Sequence, residues 1–226
     1  MRAIEMIAMG AIIFGATASS SFAADVNIVH GINGRDLGLA QSLPVDIAVN
    51  GACALKGVTF KQSTKVSLPP AAYTITVHLA DGSCSQPPVI SKQVTIPDSP
   101  GALVFSAVAN LSKSGTPQLS VFSVSDLLIP SSVAVRHLAK AGAVTVKFSG
   151  KEIGRSQSSR ITNGKQAILS VLTNRLPYTA NIYPGASRRS IARLTGVGRK
   201  KFTIYNIVGS ATNGFTIISE QLSPGN

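Results

Sequence analysis

The sequence predicts an all-β chain: two tandem immunoglobulin-like antiparallel β-sandwich domains behind a cleaved signal peptide. Three observations carry this expectation. Apolar and polar residues alternate in short runs such as "VDIAVNG" at 45–51, and period-two alternation gives a strand one buried and one outward face. After the leader no stretch has a long helical period, and turn signals recur about every 8 to 12 residues. The same ordered set of strand motifs also occurs twice, as in a duplicated unit.

The chain opens "MRAIEMIAMGAIIFGATASSSFAADV". Arg2 gives a weakly positive start, Met6 to Ala18 is apolar, and Ser21 and Ala23 are small residues at alternate positions, the arrangement a signal peptidase accepts. The apolar run is shorter than the roughly 20 residues a membrane span needs. Residues 1–23 therefore read as a signal peptide cut after Ala23. The mature chain has no transmembrane segment by this reading, and export to the periplasm or the exterior is expected.

Domain one, 24–130, starts with "VNIVHG" at 26–31 and continues through "VDIAVNG", "LPPAAYTITVHLADGS" at 68–83, "VTIPDSPGALVFSAVAN" at 94–110 and "QLSVFSVSDL". Cys53 and Cys84 are the only cysteines and flank a predicted hairpin. In an oxidising compartment such a pair most simply forms one disulfide. Pro130 and two serines in "DLLIPSSV" mark the boundary.

Domain two, 131–226, answers in the same order. "VAVRHL" at 133–138, "VTVKFSG" at 144–150, "LPYTANIYPGAS" at 176–187, "LTGVGRKKFTIYNIVGS" at 194–210 and "GFTIISEQL" are the counterparts. Residues 94–110 and 194–210 align without a gap at a constant offset of 100. The second copy also carries "SQSSRITNGKQAILSVLTNR" before its Leu-Pro element, which reads as an additional hairpin turning at "TNGK".

The formal charge of +12 is unevenly placed. In domain one, Arg35, Lys56, Lys61, Lys65, Lys92 and Lys113 balance Asp25, Asp36, Asp46, Asp81, Asp98 and Asp126. Domain two sets fourteen basic residues against Glu152 and Glu220. Arg188, Arg189 and Arg193 form one cluster; Arg199, Lys200 and Lys201 form another, at the far end of the same strand. Arginine forks match carboxylate and phosphate, so these six are the candidate anion-binding residues. A basic surface that only keeps the protein soluble is the competing reading.

His30 and His137 occupy equivalent strand ends. Duplication copies structural positions automatically, so both read as structural histidines donating to a loop carbonyl. His78 ends "YTITVH" where the second copy has Tyr183, and reads as a strand-end residue. Hydrolysis needs a nucleophile with a base, or paired carboxylates, and metal catalysis needs clustered ligands. The sequence has no GxSxG, HExxH, P-loop or GxGxxG pattern. No catalytic residue, metal or cofactor is expected. Nucleic acid is disfavoured, because the basic segments are not interleaved with aromatics for base stacking.

These motifs resemble a bacterial secreted family catalogued as domain of unknown function 4397. Its repeats begin with a strand ending in Val-His and continue to Val-Asp-x-x-Val-Asn-Gly, Leu-Pro-x-Gly-Thr-Tyr-like and Val-Thr-Leu elements. "VNIVHG", "VDIAVNG", "LPPAAYTITV" and "VTIPDSPGALVFSAVA" carry the likeness, with domain two following more loosely. After the histidine the family has an Ala-Ser-Pro-Asp-Ala-Pro-like loop, where this chain has "GINGRDLGLAQSLP". The resemblance implies an immunoglobulin-like sandwich and declares no activity. In architecture alone the chain is similar to the AlgF-type periplasmic accessory proteins of alginate O-acetylation.

The expected function is that of a non-catalytic exported binding module. Its basic second domain would dock on an anionic polysaccharide, a lipid headgroup or an acidic envelope protein. The alternative is a structural or assembly accessory of the envelope, for instance in polysaccharide modification, with an enzyme of unrecognised type third.

Overall fold

A computed structural model describes residues 23–98, 104–124, 132–150, 157–170, 177–185, 187–197 and 202–222. Most of the signal-peptide segment, the boundary around Pro130, and Arg199, Lys200 and Lys201 lie outside the described residues. The first copy holds β1 (Ala24–His30), β2 (Val45–Val49), β3 (Ala52–Val58), β4 (Ser63–Leu68), β5 (Ala71–Leu79), β6 (Ile90–Ile96), β7 (Val104–Leu111) and β8 (Pro117–Val124). The second holds β9 (Ser132–His137), β10 (Val144–Gly150), β11 (Gln157–Ile161), β12 (Lys165–Ser170), β13 (Pro177–Pro184), β14 (Ala192–Val197), β15 (Phe202–Ser210) and β16 (Gly214–Leu222). Among the described residues the only helical element is a 3-10 turn at Gly34–Leu37.

Each copy is a sandwich of two four-stranded sheets. Their orders are β4-β1-β7-β8 and β3-β2-β5-β6 in the first, β12-β9-β15-β16 and β11-β10-β13-β14 in the second. The all-β tandem architecture is as the alternation implies. All pairs are antiparallel except β1 with β7 and β9 with β15, which run parallel. Alternation reports which face a residue takes but not the direction of the neighbouring strand, so these two pairs were invisible in sequence.

Two expectations about the repeat are corrected. The segment read as an additional hairpin is β11 and β12, which pair as β3 and β4 do. β3 and β4 are sheet-edge strands whose residues are mostly exposed or half-buried, and too little burial leaves too little alternation to match. The gap-free alignment is also out of register. Ser91 faces Thr76 as Arg193 faces Asn181, while Ala109 faces His30 as Ile207 faces His137. The offset is thus 102 in the sixth strand and 98 in the seventh. Even shifts preserve the face a residue occupies, so the apolar pattern hid them.

Core residues follow the alternation. Val26 and Ile28 of β1, Phe105 and Ala107 of β7, Val45 and Ile47 of β2, and Ile75 and Val77 of β5 fill the first sandwich. Val133, Val135, Val144, Val146, Phe148, Ala180, Ile182 and Ile207 fill the second.

The β1 and β9 sheets turn their other faces toward each other. Val29 and Val108 meet Leu138, Val208 and Ile218, with Phe60 and Phe122 packed alongside. Within this contact Glu220 accepts hydrogen bonds from Asn27, Asn206 and Ser106, and the Arg136 guanidinium lies 3.8 Å from it. Arg136 also donates to Ser106 Oγ at 2.7 Å and stacks 4.1 Å from the Phe122 ring centroid. The β3-β2-β5-β6 and β11-β10-β13-β14 sheets are left as the two outer layers.

Candidate functional site

The outer layer of domain two is built by strand alternation. Val144, Val146 and Phe148 enter the core from β10, as do Ala180 and Ile182 from β13. Thr145, Lys147, Asn181 and Tyr183 are therefore turned to the other side. Register sets Arg160, Thr145 and Tyr183 in one row across three strands. Ser158, Lys147, Asn181 and Arg193 form the next row, across all four.

Where these rows meet the loop after β13, Thr145, Lys147, Tyr183, Gly185, Ser187 and Arg188 line an open groove of about 410 Å3. The Lys147 ammonium sits 5.1 Å from the Tyr183 ring centroid, a distance at which the ring quadrupole attracts it. Gly185 makes the turn at φ 53°, in the left-handed region. The loop is pinned on both sides: Gly185 N–H donates to Ala143 O at 2.8 Å, Ser190 Oγ to Ala192 O at 2.6 Å, and Ile191 N–H to Ile182 O at 2.8 Å. Arg188 lies between these two backbone anchors, at Gly185 and Ile191.

Of the sequence-predicted anion-binding residues, Arg188 lines the groove, Arg189 is its exposed neighbour, and Arg193 stands exposed in the row of Lys147. Lys147, Arg160 and Tyr183 were missed. The signal for Lys147 and Tyr183 was available in the outward positions of "VTVKFSG" and "YTANIY", and that for Arg160 in "SQSSRI", but a lone cation per strand becomes a cluster only once strands are ordered. Arg199, Lys200 and Lys201 lie outside the described residues. Among the described residues of domain two, Glu220 is the sole carboxylate and it is buried. Lys147, Arg160, Arg188 and Arg193 make no ion pair among the described residues; the two pairs found there are Lys65 with Asp25 and Arg136 with Glu220.

The same place in domain one is closed. Asp46 and His78 stand where domain two has Thr145 and Tyr183. The loop 80–89 covers them, tied down by the Cys53–Cys84 disulfide, whose Cα atoms are 5.6 Å apart. Asp46 is fully buried and accepts from Gly57 N–H at 2.7 Å, Asp81 N–H at 2.9 Å and Gly82 N–H at 2.7 Å. Burial pushes its carboxyl up, and the three backbone donors more than offset this, holding it below the ordinary carboxylate range. His78 Nδ1 donates to Gln86 O at 2.5 Å, and its Nε2 accepts from Thr76 Oγ1 at 2.8 Å. Asp46 and the two cysteines are near neighbours, but the sulfurs are bonded to each other and the carboxylate is already satisfied. That trio offers nothing to a metal.

His30 and His137 are both fully buried. His30 Nε2 donates to Leu43 O at 2.8 Å, and Nδ1 is 3.4 Å from the Ile32 N–H. His137 Nε2 donates to Gly142 O at 2.6 Å. Burial lowers the pKa of each below the ordinary histidine value. Both rings are thereby kept neutral and fasten the loop that follows the first strand of each sandwich.

No protein-family model matches the chain, and no curated protein matches it. Among solved structures it is similar to CBMbc, a family 26 carbohydrate-binding module of Eubacterium rectale Amy13K, in complex with maltoheptaose. The identity is 11%, the TM-score 0.27, and the match covers 88% of this chain and 98% of that one. A likeness of that degree carries no argument about function.

Proposed function

We propose that the protein is a non-catalytic binding module of the cell envelope or exterior whose outer domain-two sheet docks an anionic polysaccharide. The observation that supports this reading is the groove beside Tyr183. Two cations, Lys147 and Arg188, and two hydroxyl residues, Thr145 and Ser187, surround one aromatic ring. Arginine and lysine recognise carboxylate or sulfate, while the half-buried ring offers an apolar face to the C–H side of a sugar. An acidic protein or a lipid headgroup would use the cations and leave the aromatic floor without a role. Export, needed for such a ligand, rests on the leader sequence.

The test is binding of the mature chain to polygalacturonate, dextran sulfate, neutral dextran and phosphatidylglycerol vesicles over a salt series. Binding to the charged polysaccharides, weakening as salt screens the cations, is expected, with dextran inert. Failure to bind either charged polysaccharide at low salt overturns the proposal, as does binding to the vesicles alone.

A further inference from the structure

The cations of the outer sheet are spread in a way that a single acidic sugar cannot use. Arg160 lies on β11, Lys147 on β10, Arg188 just beyond β13, and Arg193 on β14. All four are exposed or line the groove. Successive strands are spaced about 4.8 Å apart, so β11 and β14 lie about 14 Å apart across the sheet. The other outward side chains of these rows, Ser158, Thr145 and Asn181, are polar donors or acceptors. Tyr183 sits between the two flanking arginines, on β13.

Resting on the binding reading above, we infer that the polysaccharide chain lies across the strands, not along them, and that the site is a run of about four sugar subsites, one over each strand. One inner unit stacks at Tyr183 with its acid group between Lys147 and Arg188. On one side the chain passes over β10 to a unit at Arg160 on β11, and on the other the next unit, over β14, reaches Arg193. A chain running along β10 and β13 would meet Lys147 and Tyr183 but neither flanking arginine. With neighbouring units set on the order of one strand spacing apart, the four strands from β11 to β14 take about four units. Domain one offers no second copy of this run. Its closed face has Asp46 in place of Thr145, Ala48 in place of Lys147 and Ser91 in place of Arg193.

The experiment titrates the mature chain with oligogalacturonates of two to six units, for the native protein and for Arg160→Gln, Arg193→Gln and Lys147→Gln. Affinity is expected to rise from two units to about four and then level off, with one oligomer bound per chain. Arg160→Gln and Arg193→Gln should each weaken the tetramer about fivefold and the dimer by no more than about twofold, because a dimer can seat on Tyr183 and Lys147 alone. Lys147→Gln should weaken every length. A steady rise through six units, or flanking variants that weaken dimer and tetramer alike, overturns the cross-strand assignment while leaving the binding function standing. If polygalacturonate and dextran sulfate both fail to bind, the failure lies with the parent reading.

Discussion

At the residue scale, the same fold position serves opposite ends in the two copies. Thr145 and Tyr183 leave a groove open in domain two, whereas Asp46 and His78 anchor a loop over it in domain one. Asp46→Ala would strand three backbone N–H groups, and an unsatisfied buried donor is costly. It should lower the melting temperature by several degrees, seen by differential scanning calorimetry, with polysaccharide binding unchanged. The histidines give a pH signature. Their folded pKa values lie below the unfolded value of 6.5, so the neutral rings contribute fully above about pH 6.5. That contribution is lost as pH falls below it and the unfolded state takes up more protons. Melting temperature should therefore decline between pH 7 and pH 5, and His30→Gln with His137→Gln should flatten that slope while lowering stability at pH 7. A slope unchanged by the double replacement would contradict the assignment of both rings as buried neutral donors.

At the element scale, the disulfide belongs to the loop 80–89 and not to the candidate site. Closing a loop across a sequence separation of 31 contributes about 3 to 4 kcal/mol through the unfolded state. Cys53→Ser with Cys84→Ser should cost about that much by denaturant titration, and affinity for polygalacturonate should stay as it was. Loss of binding in that variant would place the ligand on domain one. The strongly alternating strands were legible from sequence, and "VNIVHG" against "VAVRHL" was enough to reveal the duplication. The strands within residues 157–170 read as additional, rather than as counterparts of β3 and β4, because β11 and β12 are edge strands. Backbone pairing holds such strands, and it leaves little trace in side-chain pattern. The candidate site was legible only in part. Arg188 and Arg193 stood in a visible cluster, but Lys147, Arg160 and Tyr183 are drawn together by sheet order, a long-range property that no local spacing encodes.

At the scale of the whole molecule, Glu220 and Arg136 consume each other's charge between the sandwiches, so the cations of the outer sheet act without an opposing carboxylate among the described residues of domain two. Burial draws Arg136 down to about 10, opposed by Glu220; the guanidinium stays charged at neutral pH. Glu220→Gln removes one partner of a buried pair and should cost about 3 kcal/mol, seen as an earlier unfolding transition in guanidinium chloride. No change in stability would contradict the account of this contact. The central claim concerns the outer sheet. Its most direct test is calorimetric titration of the mature chain with polygalacturonate at low salt, native against the triple variant Lys147→Gln, Arg188→Gln, Arg193→Gln. At least about a tenfold loss of affinity is expected from three exposed charge-assisted contacts, with the melting temperature unchanged. An unaltered affinity in a folded triple variant would contradict the assignment of this face as the binding surface.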